Sequence, residues 1–151
     1  MRYFLDSSAL AKRFHSERGS AQVDRIFSEQ SRTVFVTDLS MVELISVAGI
    51  KQRTGALTSE AAATFLRQAT VSAWLGDFVI LNLDRDDLAM AARLLTKYSA
   101  KHSLRTLDAL HLASALRHRA ASHLDFFVAS DRPLAKVAAL EGFAVIIPEE
   151  A

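Results

Sequence analysis

Five short apolar runs constrain this chain more than any other feature of its sequence. Tyr3–Leu5, Thr33–Thr37, Phe78–Leu81, Phe126–Ala129 and Ala144–Ile147 are β-branched, aromatic or aliphatic throughout. They do not alternate apolar with polar, so each reads as a strand buried on both faces, which is the signature of a parallel sheet. The intervals between them carry helical spacing instead. Val23, Ile26 and Phe27 fall on one face of 21–30, and Ala62, Phe65, Leu66 and Ala69 repeat along the segment opened by Thr58. Leu88, Ala91, Leu95 and Tyr98 do the same after Asp84-Arg-Asp-Asp87, and further helical runs cover about 40–51 and 107–118. Pro133 suits a helix first turn and Gly142 a helix end. Strands alternating with helices predict an α/β three-layer sandwich with a central parallel sheet of about five strands. Two helices separate the third strand from the fourth, so the strand order stays open. No repeat, low-complexity tract or linker divides the sequence, and residues 1–151 are expected to form a single domain.

Composition narrows the chemistry. There is no cysteine, which excludes disulfides, iron–sulfur clusters and thiolate zinc sites. No apolar stretch approaches a membrane span, and Asp6 interrupts the N-terminus before a signal-peptide core could form. A cytoplasmic protein with no membrane association is therefore expected. A net charge of +1 is too small to announce nucleic-acid binding by itself. Local placement says more: Lys12 and Arg13, Lys51 and Arg53, and Arg132 and Lys136 stand near acidic positions, where they would suit a phosphate-rich ligand. Taken singly, each better suits a solvated helix face.

Those acidic positions are Asp6, Glu43, Asp108 and Asp131. Asp6 and Asp131 end the first and fourth predicted strands, and parallel strands put such ends on one edge of the sheet, where ligands bind. Glu43 lies in the first turn or so of the helix after the second strand. Asp108 opens the helix that begins near Thr106, and the sequence does not fix the edge at which that helix starts. Each acid also has a local role open to it. Asp6 and Asp131 can cap helices, Ser40-Met-Val-Glu43 matches a capping box, and Asp108 complements a helix dipole. Together, however, carboxylates crowded on one edge raise one another's pKa and call for a cation. Oxygen donors alone select Mg2+ or Mn2+, which lowers the pKa of a bound water. Other acids are set aside: Asp125 stands a strand length, roughly 20 Å, from Asp131; Asp84, Asp86 and Asp87 suit a helix start; Asp38 is read as the cap of the Glu43 helix. His111, one turn after Asp108, is read as a packing histidine.

Four stretches, Phe4-Leu-Asp6-Ser-Ser-Ala-Leu10, Met41-Val-Glu43-Leu44, Leu107-Asp108-Ala-Leu-His111-Leu-Ala113 and Phe127-Val-Ala-Ser-Asp131-Arg-Pro-Leu134, resemble the PIN domain in the right order along the whole chain. Within that family they look most like the VapC-type toxins of toxin–antitoxin pairs. The resemblance implies a Mg2+- or Mn2+-dependent endoribonuclease, a homodimer, and a cognate antitoxin that inserts residues into the acidic pocket. It carries catalytic roles onto Asp6, Glu43, Asp108 and Asp131. Asp6, Asp108 and Asp131 would hold the metal, and Glu43 would hold or deprotonate the attacking water on the RNA substrate. Ser7, Lys12, Ser130 and Arg132 are candidate substrate contacts. One departure is visible: many members carry Thr or Ser two positions before the last acid, where this chain has Ala129, with Ser130 adjacent. Two other readings use the same residues. A receiver-like phosphoacceptor would want paired acids after the first strand and a lysine after the last, and Asp6 stands alone. A non-catalytic interaction module on the same fold would bind no divalent ion.

Overall fold

The computed structural model describes residues 1–150. Its elements alternate as the apolar runs predict: β1 (Arg2–Leu5), α1 (Ser7–Ala11), α2 (Ser20–Ser28), β2 (Thr33–Thr37), α3 (Asp38–Arg53), α4 (Ser59–Leu75), β3 (Val79–Leu81), α5 (Arg85–His102), α6 (Thr106–Ala121), β4 (Phe126–Val128), α7 (Arg132–Leu140) and β5 (Ala144–Ile146). The strands form one parallel sheet in the order β3-β2-β1-β4-β5. A receiver has the order 2-1-3-4-5, so the topology sets that reading aside.

The central strands β1, β2 and β4 read as continuous apolar runs because both faces of the sheet are covered there. The edge strands are less buried than their apolar sequence predicts, with Val79 44% and Ile80 37% exposed on β3, because each has only one neighbouring strand. Tyr3, Leu5, Val34, Val36 and Val128 point to one side and pack with α1–α4 through Leu10, Ile26, Leu44 and Phe65. Phe4, Phe35 and Phe127 point to the other and pack with α5–α7 through Leu94, Leu112, Leu134 and Val137. Register aligns these residues across strands, with Phe4 opposite both Phe35 and Phe127. The Phe4 and Phe127 rings stack at 5.4 Å. Each fully buried Phe side chain contributes roughly 2–3 kcal/mol through removal from water.

The chain steps outward from β1 through β2 to β3, then returns to the other side of β1 with β4. Neighbouring strands β1 and β4 thus lead away in opposite directions, which opens a crevice beyond their carboxyl ends. Asp125 lies at the other edge, as its position before β4 requires, and accepts a hydrogen bond from the Arg2 N–H at 2.7 Å. No helix among the described residues is long and apolar enough to cross a membrane.

Candidate active site

Asp6 stands at the mouth of the crevice. Its backbone N–H donates to the Val128 carbonyl at 3.1 Å, which fastens the end of β1 to β4. Its side chain caps α1 by accepting from the Ala9 N–H at 2.8 Å. The Ser8 hydroxyl donates to the same carboxylate at 2.7–2.8 Å and accepts from the Ser130 N–H at 3.0 Å, so Ser8 ties the two strand ends together. The local cap is thus real, and it buries a carboxylate that is only 3% exposed. Burial, with a smaller contribution from the Asp108 charge, pushes the Asp6 pKa up to about 6 despite the opposing Ser8, His111 and Ala9 interactions.

Glu43 does not form the capping box that Ser40-Met-Val-Glu43 suggests. Thr37 caps α3 instead, accepting from the Ser40 N–H at 3.3 Å. The helix therefore starts at Asp38, and Asp38 is not the cap: its carboxylate accepts from the Leu83 N–H at 3.3 Å and holds the loop after β3. Glu43 is free to reach into the crevice. One carboxylate oxygen accepts from the Ser7 hydroxyl at 2.7 Å, and the other meets His111 Nε2 at 2.5 Å. His111 Nδ1 lies 3.0 Å from the Thr37 hydroxyl. Burial pushes the Glu43 pKa up, but His111, Ser7 and the charge of Arg105 outweigh it and hold the carboxyl below its usual range.

Asp108 and Asp131 complete the edge, so α6 does begin there. Asp108 reaches back to its own helix start, accepting from Arg105 N–H at 3.3 Å and from Arg105 Nε at 3.0 Å. Asp131 caps α7 through the Leu134 N–H at 2.9 Å, and its second oxygen accepts from Arg105 Nη2 at 2.9 Å. Arg105 thus bridges two of the four acids while its side chain stays 71% exposed. Among the described residues no three carboxylate or imidazole groups already converge at ligating distance. The positive charge beside Asp108 and Asp131 belongs to the chain itself.

The candidate substrate contacts divide. Ser7 supports Glu43, and Ser130 joins the crevice through its backbone. Arg132 is exposed at the start of α7 and pairs with Glu150 at 2.7 Å. Lys12 is a correction: its side chain, 7% exposed, is committed to Glu17 at 3.1 Å, Glu149 at 2.8 Å and the Arg18 carbonyl at 2.9 Å. Two carboxylates and burial make it a structural cation. Lys12→Ala is expected to cost about 2 kcal/mol in chemical denaturation, because it leaves the partly buried Glu149 without its lysine partner while Glu17 keeps only Lys51, and to leave the KM for RNA unchanged. A raised KM at unaltered stability would restore Lys12 to the substrate surface. Sequence reasoning missed Arg105 altogether, although its place three residues before Asp108 is the spacing at which helical side chains meet.

The sequence profile of the PIN domain matches residues 3–140. The chain belongs to the PIN domain family. A comparison with curated proteins found no match. Among solved structures, this PIN domain is similar to FitAcB from Neisseria gonorrhoeae, with a TM-score of 0.60, 20% identity and 99% of each chain covered. It is similar to VapC20 of Mycobacterium tuberculosis, a sarcin–ricin loop cleaving toxin, with a TM-score of 0.66 and 16% identity over 94% of this chain and 96% of that one. A toxin–antitoxin complex from Klebsiella pneumoniae gives a TM-score of 0.60 and 20% identity, with 97% of each chain covered. At these identities the likeness establishes the shared fold.

Proposed function

We propose that this PIN domain is a cytoplasmic endoribonuclease that hydrolyses RNA phosphodiester bonds with a bound Mg2+ or Mn2+, and that it is the toxin of a toxin–antitoxin pair. The observation that supports the reading is a chain of contacts at the carboxyl edge of β1 and β4: Ser8 links Asp6 to the Ser130 N–H beside Asp131, and Arg105 pairs with both Asp108 and Asp131. An all-oxygen donor set of this kind fits a hard divalent ion, with Asp6, Asp108 and Asp131 as its holders. Such an ion, when bound, acidifies a coordinated water and offsets charge on the phosphate.

The remaining work falls to the chain's own groups. Glu43, held ionised by His111 and Ser7, retains lone pairs that can accept a proton from the attacking water. His111, fixed by Thr37, keeps the Glu43 carboxylate at one orientation. Ser8 locks Asp6 against the β4 end and fixes the spacing of the crevice walls. Arg132, exposed next to Asp131 in sequence and paired with the partly exposed Glu150, would meet RNA phosphate by exchanging that partner. A cognate antitoxin that inserts residues into the acidic crevice, and a homodimer, complete the reading. Val42, Ile45, Trp74 and Leu75 on α3 and α4 are each more than 60% exposed, which suits helices that a protein partner covers.

The test is cleavage of structured RNAs, transfer and ribosomal, by the purified chain. Cleavage with Mg2+ or Mn2+, its loss in EDTA, and a fall of more than about 100-fold in Asp108→Asn are expected. Cleavage indifferent to EDTA, or retained by Asp108→Asn, contradicts the proposal.

A further inference from the structure

Arg105 is the one cationic side chain that forms an ion pair with Asp108 or Asp131 among the described residues. It sits at the N-cap of α6, where the backbone is extended, with φ −96° and ψ 165°. From there the guanidinium spans the crevice mouth, Nε on Asp108 and Nη2 on Asp131. An N-cap arginine is an unusual choice, since small polar residues serve that position better. No side-chain cap is made by Arg105 itself; at this helix start its backbone N–H donates to the Asp108 carboxylate. The side chain therefore serves the acids rather than the helix. It bonds one oxygen of each carboxylate, so any divalent ion held by Asp108 and Asp131 would have to compete with the guanidinium for them. Its exposure leaves it free to swing into solvent without unpacking the core.

We infer that Arg105 is a built-in competitor for the divalent-ion site, holding Asp108 and Asp131 together in the ion-free protein and yielding when the ion binds. The inference rests on the metal site proposed above. It makes Arg105 a positioning residue that sets the ion concentration at which the site fills. Without such a counter-cation the crowded acids would repel one another; with it, the crevice keeps its shape, and the ion must displace two charge-assisted hydrogen bonds. An alternative in which Arg105 only steadies the start of α6 predicts the same fold but no change in ion affinity on its removal.

The test is calorimetric titration of Mn2+, with no RNA present, into wild type, Arg105→Gln, Arg105→Lys and Asp108→Asn. Two exposed ion pairs set the scale, so Arg105→Gln is expected to bind Mn2+ about tenfold more tightly. Arg105→Lys, which keeps the charge but not the two-pronged reach, is expected to fall between. In EDTA, Arg105→Gln should melt at a lower temperature than wild type, with the difference narrowing once Mn2+ is added. Equal or weaker Mn2+ binding by Arg105→Gln, alongside tight binding by wild type and none by Asp108→Asn, overturns the inference and leaves the metal site standing. Mn2+ binding that survives in Asp108→Asn, or that no variant shows, overturns the metal site and the inference together.

Discussion

Asp6→Asn is expected to lower divalent-ion-dependent RNA cleavage by more than about 100-fold while leaving the protein at least as stable as wild type above pH 6. Asparagine can still accept from the Ala9 N–H and from the Ser8 hydroxyl, so the α1 cap survives. What it removes is the charge. Loss of a group that only orients a ligand already costs 10–100-fold, and loss of a ligand's charge is expected to exceed that. Stability moves the other way because the wild-type carboxylate is ionised against its surroundings. With its pKa raised from 3.8 to about 6, the folded protein holds a proton between those values that the unfolded chain has released. Wild-type stability in EDTA therefore falls as pH rises through this window, by about 3 kcal/mol in all, and stays lower above it. The Asn variant lacks this decline. Urea denaturation at pH 4.5 and pH 7.5 reads it directly. A variant that cleaves RNA normally and is less stable at pH 7.5 would make Asp6 a helix cap and nothing more.

His111→Ala is expected to produce the largest combined loss, about 3 kcal/mol of stability and 10–100-fold in kcat. The ring is 1% exposed and joins Thr37 on β2's end to Glu43 on α3. Truncation leaves a cavity among α6 and β2, and strands two polar groups that water reaches poorly. The kinetic loss should appear in kcat with little change in KM, since His111 touches Glu43 rather than the RNA. A loss below about 1 kcal/mol with wild-type kcat would reduce His111 to core filler.

The layered sheet was readable because the strands are apolar at successive positions, which the central strands need for burial on both faces even though the edge strands β3 and β5 stay partly exposed. Phe4, Phe35 and Phe127 announce one covered face, and Tyr3, Leu5 and Val34 the other. Strand order was not readable, because α5 and α6 together can carry the chain back to either side of β1. The acids were found from strand ends and helix starts, positions fixed by local sequence. Their partners were not. Glu43 looked like part of a capping box, but Thr37, three residues before Ser40, takes the cap, and its hydroxyl also meets His111 from α6, a partner 74 residues away. Lys12 looked like a phosphate ligand because Glu149, which buries it, lies at the far end of the chain. Arg105 was hidden because its two acids, Asp108 and Asp131, come from different elements.

The most direct measurement is a crystal structure of the protein grown with Mn2+ and no antitoxin, read by anomalous scattering. A strong peak among the carboxylates of Asp6, Asp108 and Asp131, with Arg105 turned away from Asp108 and Asp131, is the predicted result. Millimolar Mn2+ that leaves the crevice without a peak, and Arg105 still bridging Asp108 and Asp131, would contradict the account.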